Sequence, residues 1–332
     1  MNIKVSILIG VALIAFKPIV KSQDFHLSQY DAFGLYLNPA LTGFFGEEKA
    51  DYRVNASYRS QWRSMLKKPF TTYGISYDTK YKKFGIGAYL LNNRAGLANF
   101  NTLNFQVSGS YSITDPEKSP HIINVGLQMG LFYKTFNPNN LLYESQYDNS
   151  TGTLNAEISN GENFQRTSLV KFDANLGFFY QYREDNKKYS PYAGFSIFHV
   201  SMPSESFNTV KNKVPMRFNI NGGCEFIVNE KVKLIPNILY MNQAKASDFN
   251  LGLAGTYLLK EKNDLLYGIN YRIKDALIIH GGIKKDNIML RMSYDINFSY
   301  LSAYTGNRGA FEISLIVFGK KHENPFKSMA SF

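Results

Sequence analysis

The side chains with most chemistry to offer are few and scattered. The five histidines, His26, His121, His199, His280 and His322, share no metal-ligand spacing, and Cys224 is the sole cysteine. Neither a zinc site nor an intrachain disulfide therefore has its parts. No G-x-S-x-G, Walker or dinucleotide-binding pattern occurs. A Ser/His/carboxylate set assembled across strands would use His199 as base, but no spacing suggests one. A hydrogen-bonding role at a strand end suits His199 better. The chain reads as non-enzymatic, with no cofactor or metal implied.

The constellations that stand out are adhesive and conformational instead. In Tyr58-Arg59-Ser60-Gln61-Trp62-Arg63 the only tryptophan sits between two arginines at a strand end. One reading is cation–π stacking at a partner-binding rim; the other is an aromatic anchor at a membrane interface. Arg59, Trp62, Arg63 and His199 are accordingly the candidate rim residues. Asn38-Pro39 is a candidate turn that steers an aromatic leader into a lumen, or simply starts a loop before the first strand.

These residues need a scaffold, and the rhythm of the chain supplies one. After residue 50 about 14 short segments of alternating apolar and polar residues follow one another. They fall at 51–60, 70–79, 83–92, 102–113, 121–133, 171–182, 189–200, 215–228, 231–242, 248–259, 264–273, 276–283, 287–298 and 310–319. No window after the N-terminus approaches 18 consecutive apolar residues, which excludes a helical membrane protein. Mean hydropathy is mildly negative, while Tyr and Phe supply 49 of the 50 aromatic residues, as interfacial girdles require. In the last segment Phe311, Ile313, Leu315 and Val317 face one way and Ala310, Glu312 and Ser314 the other, with Ile316 and Phe318 breaking the polar side. Phe84, Ile86, Ala88 and Leu90 likewise form a face suited to lipid. Glu312 must look into the lumen, because a charge on the lipid face costs up to a few kcal/mol.

The connectors give a direction. Those at 61–69, 93–101, 134–170, 201–214, 243–247, 274–275 and 299–309 share one rim. Those at 80–82, 114–120, 183–188, 229–230, 260–263 and 284–286 share the other. Every connector of nine or more residues lies on the first rim. The reading is an all-β, transmembrane antiparallel β-barrel of about 14 strands in an outer membrane, both ends periplasmic and the long loops outside. Residues 1–22, a short basic start, an apolar run and Val20-Lys21-Ser22, read as a signal peptide. Residues 23–49, dense in aromatics, read as a plug-like periplasmic or lumen segment, 50–319 as the barrel and 320–332 as a periplasmic tail. The net charge is +11, but the basic residues are spread over connectors. That pattern suits lipid headgroups, lipopolysaccharide phosphates or an acidic partner rather than nucleic acid.

Several segments resemble the PorP/SprF family of outer-membrane proteins from the Bacteroidetes type IX secretion and gliding machinery. They are Ser28-Gln29-Tyr30 with Leu37-Asn38-Pro39-Ala40-Leu41-Thr42-Gly43, Tyr58 to Trp62, Tyr77-Asp78 and Asn92-Asn93-Arg94-Ala95-Gly96. Further along they are Pro191 to Ser196 with Phe198-His199, Lys274-Asp275-Ala276-Leu277, Ser293 to Asn297 and Glu312 to Leu315. Phe311 stands where His is expected, and Asn93 where Asp is usual. The resemblance implies a non-enzymatic outer-membrane component. Such a protein docks or anchors secreted cargo or a surface adhesin bearing a type-B C-terminal domain, and meets periplasmic type IX components. The alternative is a passive channel or hydrophobic-solute transporter.

Overall fold

A computed structural model describes residues 23–320, except 47, 67, 116–117, 139–140, 142, 149–150, 156–157, 159–163, 209–211 and 261–262. The signal-peptide reading and all but the first residue of the tail reading lie outside the described residues. The strands are β1 (Tyr52–Gln61), β2 (Phe70–Tyr81), β3 (Phe84–Ala95), β4 (Phe100–Ser112), β5 (His121–Thr135), β6 (Tyr147–Asp148), β7 (Thr153–Leu154) and β8 (Ser168–Tyr182). Then come β9 (Tyr189–Phe198), β10 (Arg217–Ile227), β11 (Val232–Gln243), β12 (Ala246–Lys260), β13 (Asn263–Arg272), β14 (Ala276–Lys285), β15 (Ile288–Asn297) and β16 (Arg308–Gly319). All but β6 and β7 join into one closed antiparallel barrel of 14 strands, each beside its sequence neighbour, and β16 pairs with β1.

Alternation decides which face of each strand meets lipid. On β2, Tyr73, Ile75 and Tyr77 are about half exposed, while Thr72, Ser76 and Asp78 are buried. On β16, Phe311 and Leu315 face out and Glu312 and Ser314 face in. Phe84, Ile86 and Leu90 are outward on β3, as expected from the sequence. The interior is therefore polar and the belt apolar, the inverse of a soluble domain and the arrangement a strand needs to cross hydrocarbon.

The connectors at 62–69, 96–99, 136–167, 199–216, 244–245, 273–275 and 298–307 share one rim, which carries the three longest of them. The expected loop at 93–101 is shorter than its composition suggests, because Asn93, Arg94 and Ala95 continue the ladder against Thr102, Asn101 and Phe100. Inside 136–167 the two-residue strands β6 and β7 form a small hairpin that sequence periodicity is too short to reveal.

Candidate functional site: a leader in the lumen and a vestibule at the loop rim

Residues 24–46 lie against the inward faces of the strands. A short helix α1 (Gly34–Leu37) runs into a 3-10 turn, Pro39–Leu41, through Asn38. The Asn38 side chain accepts from the Ala40 N–H at 2.9 Å and donates to the Phe178 carbonyl at 2.8 Å. Asn38 and Pro39 are both buried, and they sit where β5 and β8 present glycines. A Cβ on Gly126 would collide with the backbone of Pro39 and Ala40, so only glycine lets the turn lie on the wall there. Leu27, Phe33 and Leu35 pack on Tyr89 and Leu91 of β3. Ala32 and Phe45 cover Ile316 and Phe318, the two apolar residues that interrupt the polar side of β16.

A buried charge cluster holds the start of this segment. Glu312 accepts from the backbone N–H of Ser28 at 2.8 Å and of Gln29 at 3.0 Å, while the Ser28 hydroxyl donates to Asp295 at 2.7 Å. Arg59 bridges Glu312 and Asp295, each at 3.1 Å. Arg272 reaches Asp295 at 3.0 Å and Asp275 at 2.5 Å. The Gln29 amide spans Ser293 and Ser314. Nearer the other rim Arg53 pairs with Asp78 at 2.8 Å, which also takes the Gly43 N–H at 2.7 Å. Glu48 pairs with Lys284 there, and Arg183 donates to the Gly46 carbonyl at 2.7 Å. The leader thus runs from the loop rim to the turn rim before β1 climbs back.

At the loop rim, Asp24 accepts from His199 Nε2 at 2.7 Å and from Arg217 at 3.1 Å. The other ring nitrogen of His199 lies 2.9 Å from Asp173 as a charge contact rather than an aligned hydrogen bond. Burial alone would lower the His199 pKa, but Asp24 and Asp173 outweigh it and push it up to about 9. Burial would raise Asp24, and the charges of His199 and Arg217 instead hold it well below the usual carboxylate range. The Arg217 guanidinium stacks between Tyr36 and Phe198, at 4.5 and 4.2 Å from their centroids.

Above this floor opens a vestibule of about 860 Å³. Asp24 and His26 of the leader line its base, with Trp62, Phe70, Phe100, Phe132 and Phe207 among its walls. Arg59, Trp62 and His199 all border it, but they do not form one rim patch. Arg59 is 2% exposed and engaged by two carboxylates, which corrects its place from rim to interior. His199 is 9% exposed and likewise ion-paired inside the mouth. Trp62, at φ 58°, meets the edge of Phe70 at 4.8 Å rather than a guanidinium, and Arg63 is exposed. Sequence reasoning missed Asp24, Ser28, Asp173, Arg217, Arg272 and Asp295 as members of these clusters. The inward parity of the polar residues on β8, β10, β13 and β15 was the available signal. Among the described residues no group of three His, Cys, Asp or Glu side chains is arranged to hold a metal ion.

A closed, evenly stranded antiparallel barrel with an apolar belt, a polar interior and long loops on one rim is an outer-membrane barrel protein. Among the described residues no helix is long and apolar enough to cross a membrane; the strands cross it. The chain belongs to the type IX secretion system membrane protein PorP/SprF family, whose model matches residues 19–317. Nothing among curated protein sequences matches it. Solved structures of similar fold include the Ralstonia pickettii toluene transporter TbuX, with TM-score 0.51, 10% identity, and 86% of this chain and 92% of that one covered. The CymD monoaromatic hydrocarbon channel has TM-score 0.52 and 10% identity over 88% and 94% of the two chains. The Pseudomonas putida toluene transporter TodX has TM-score 0.51 and 11% identity over 86% and 93%. At that identity the likeness is one of fold.

Proposed function

We propose that this barrel is a docking or anchoring platform for proteins exported by type IX secretion, in secretion or gliding. Cargo with a type-B C-terminal domain engages the loop rim, and the turn rim faces periplasmic machinery. The observation that carries the reading is the leader, hydrogen-bonded to the inner wall from Asp24 at one rim to Glu48 at the other. A conduit needs an open or gated bore, whereas a platform needs a supported surface, and this segment makes the floor of an outward-facing cup. The test is deletion of the gene followed by mass spectrometry of surface-shaved cells. Loss of one or more surface proteins, with nutrient uptake intact, is expected; retention of every surface protein sinks the reading.

The rival is a channel for apolar solutes, the activity named for the solved barrels above. It predicts large, steady single-channel conductance or solute flux through the purified protein in planar bilayers. The non-enzymatic reading draws support from His199, whose two ring nitrogens both face carboxylates and so offer no free base to a nucleophile. Fatty-acid release from phospholipid vesicles that vanishes in His199→Ala would overturn it.

A further inference from the structure

The wall of the barrel has one conspicuous step. Strand β8 pairs with β5 along its whole length, from Tyr182↔His121 to Ser168↔Thr135. With β9 it pairs only over Leu176 to Gln181, because β9 stops at Phe198. The chain makes one more backbone bond, from the Val200 N–H to the Ala174 carbonyl at 2.9 Å, and the Ser201 hydroxyl touches the Phe172 carbonyl at 3.4 Å. It then turns away through His199 and Met202, both at positive φ.

Alternation fixes what this leaves open. In an antiparallel strand the N–H and C=O of one residue point to the same side, and every second residue shares that side. Ala174 points its backbone toward β9, so Phe172 and Val170 do too. Among the described residues, neither of their N–H groups on that side has an acceptor, and the Val170 carbonyl has no donor. The side chains of Val170 and Phe172 are 57% and 52% exposed, and Val200 and Met202 beside the gap are exposed as well. Three cations lie on the segments around the gap: exposed Arg166 just before β8, exposed Lys213 on the chain that returns to β10, and half-buried Lys171, whose parity turns it inward beside Leu169 and Asp173. Among the described residues none of the three meets a carboxylate.

An open edge of this kind is a template for another strand, and backbone groups left unpaired beside lipid would be costly. We propose that the free edge of β8 accepts an extended, acidic segment of an exported polypeptide as an added strand. Backbone pairing to Val170 and Phe172 would supply affinity, and the exposed cations would select acidic flanks. The proposal rests on the docking reading and names the surface that performs it.

The probe is a fluorescein-labelled nonapeptide of alternating Val and Thr with Asp at both ends, titrated by anisotropy onto the full barrel in nanodiscs. Saturable binding is expected, weakened at least tenfold when Lys replaces Asp in the peptide. Val170→Pro removes only the outward N–H, since the bonds to β5 come from neighbouring residues, and should also weaken binding at least tenfold. Val170→Thr keeps the N–H and should bind as the parent does. Equal binding by Val170→Pro, or no binding to the parent, overturns the proposal. So does a dimer in light scattering that Val170→Pro dissociates, which would make the edge a self-interface. In cells, Val170→Pro should fail to restore the surface proteins lost on deletion. If it restores them fully, docking stands and the β8 edge falls; if deletion removes none, docking itself has failed.

Discussion

Replacing Arg59 by methionine should release the leader, whereas replacing Glu312 by glutamine should only loosen it. Arg59 and Arg272 are the two cations of the buried cluster, set against Asp295 and Glu312, at 2% and 1% side-chain exposure, and the more exposed Asp275. Glu312→Gln leaves two cations against two carboxylates, and the amide oxygen still accepts one of the Ser28 and Gln29 N–H bonds. Its cost should be that of a weakened charged hydrogen bond, about 1–2 kcal/mol. Arg59→Met leaves Glu312 buried without its cation and Asp295 with Arg272 alone, and stripping one partner from a buried pair costs about 3–5 kcal/mol. At about 1.4 kcal/mol per tenfold, opening of the leader should rise by about two to three and a half orders of magnitude in Arg59→Met and about tenfold in Glu312→Gln. Hydrogen–deuterium exchange of a peptide covering residues 24–32 in the detergent-solubilised protein measures this directly. The mobility of the unheated protein on a denaturing gel shows whether the barrel is still closed. The double variant should exchange more slowly than Arg59→Met alone, since removing both charges restores the balance. Exchange in Arg59→Met within a few-fold of the parent, with the barrel closed, would refute the role given to the cluster.

Four further outcomes are expected. His199 has a folded-state pKa of about 9 against 6.5, so its contribution is complete below pH 6.5 and fades as pH rises through about 9. Protection of residues 24–27 should fall over that window in the parent, and His199→Asn should remove the slope. Gly126→Ala drives a Cβ into the Pro39–Ala40 backbone and should cost about 1–3 kcal/mol in guanidinium unfolding, whereas Gly109→Ala meets nothing within 4 Å and should be tolerated. Asn38→Asp loses the donor to the Phe178 carbonyl and puts a charge in a fully buried position; it should accelerate exchange at 38–42 more than Asn38→Ala does. Ile86→Arg puts a charge on the outward face and should cost about 2–4 kcal/mol if that depth is the bilayer midplane, measured as reduced folding yield into vesicles.

Strand number and the inward turn of Glu312 were legible because period-two alternation is imposed by lipid on every strand alike. Arg59 was misplaced because its neighbours Tyr58 and Trp62 look like a rim motif. Its parity with Asn55, Ser57 and Gln61, all polar, was the better guide. The partners of the leader were not legible, since Ser28 meets Glu312 at a separation of 284 residues and no local pattern encodes that pairing. The overhang of β8 beyond the end of β9 was hidden too: the residues of 189–200 alternate throughout, and β9 ends where His199 turns to positive φ.

The route of the leader bears on the order in which the molecule can be made. The segment that leaves the ribosome early finds its carboxylate anchors on β15 and β16, the last strands to be synthesised. Those anchors reach their places only as β16 meets β1. An assembly intermediate lacking the last hairpin would hold Asp24 on β10 and Asn38 on β8 while Ser28 and Gln29 waited for their carboxylates. The barrel is wrapped around its beginning by its end.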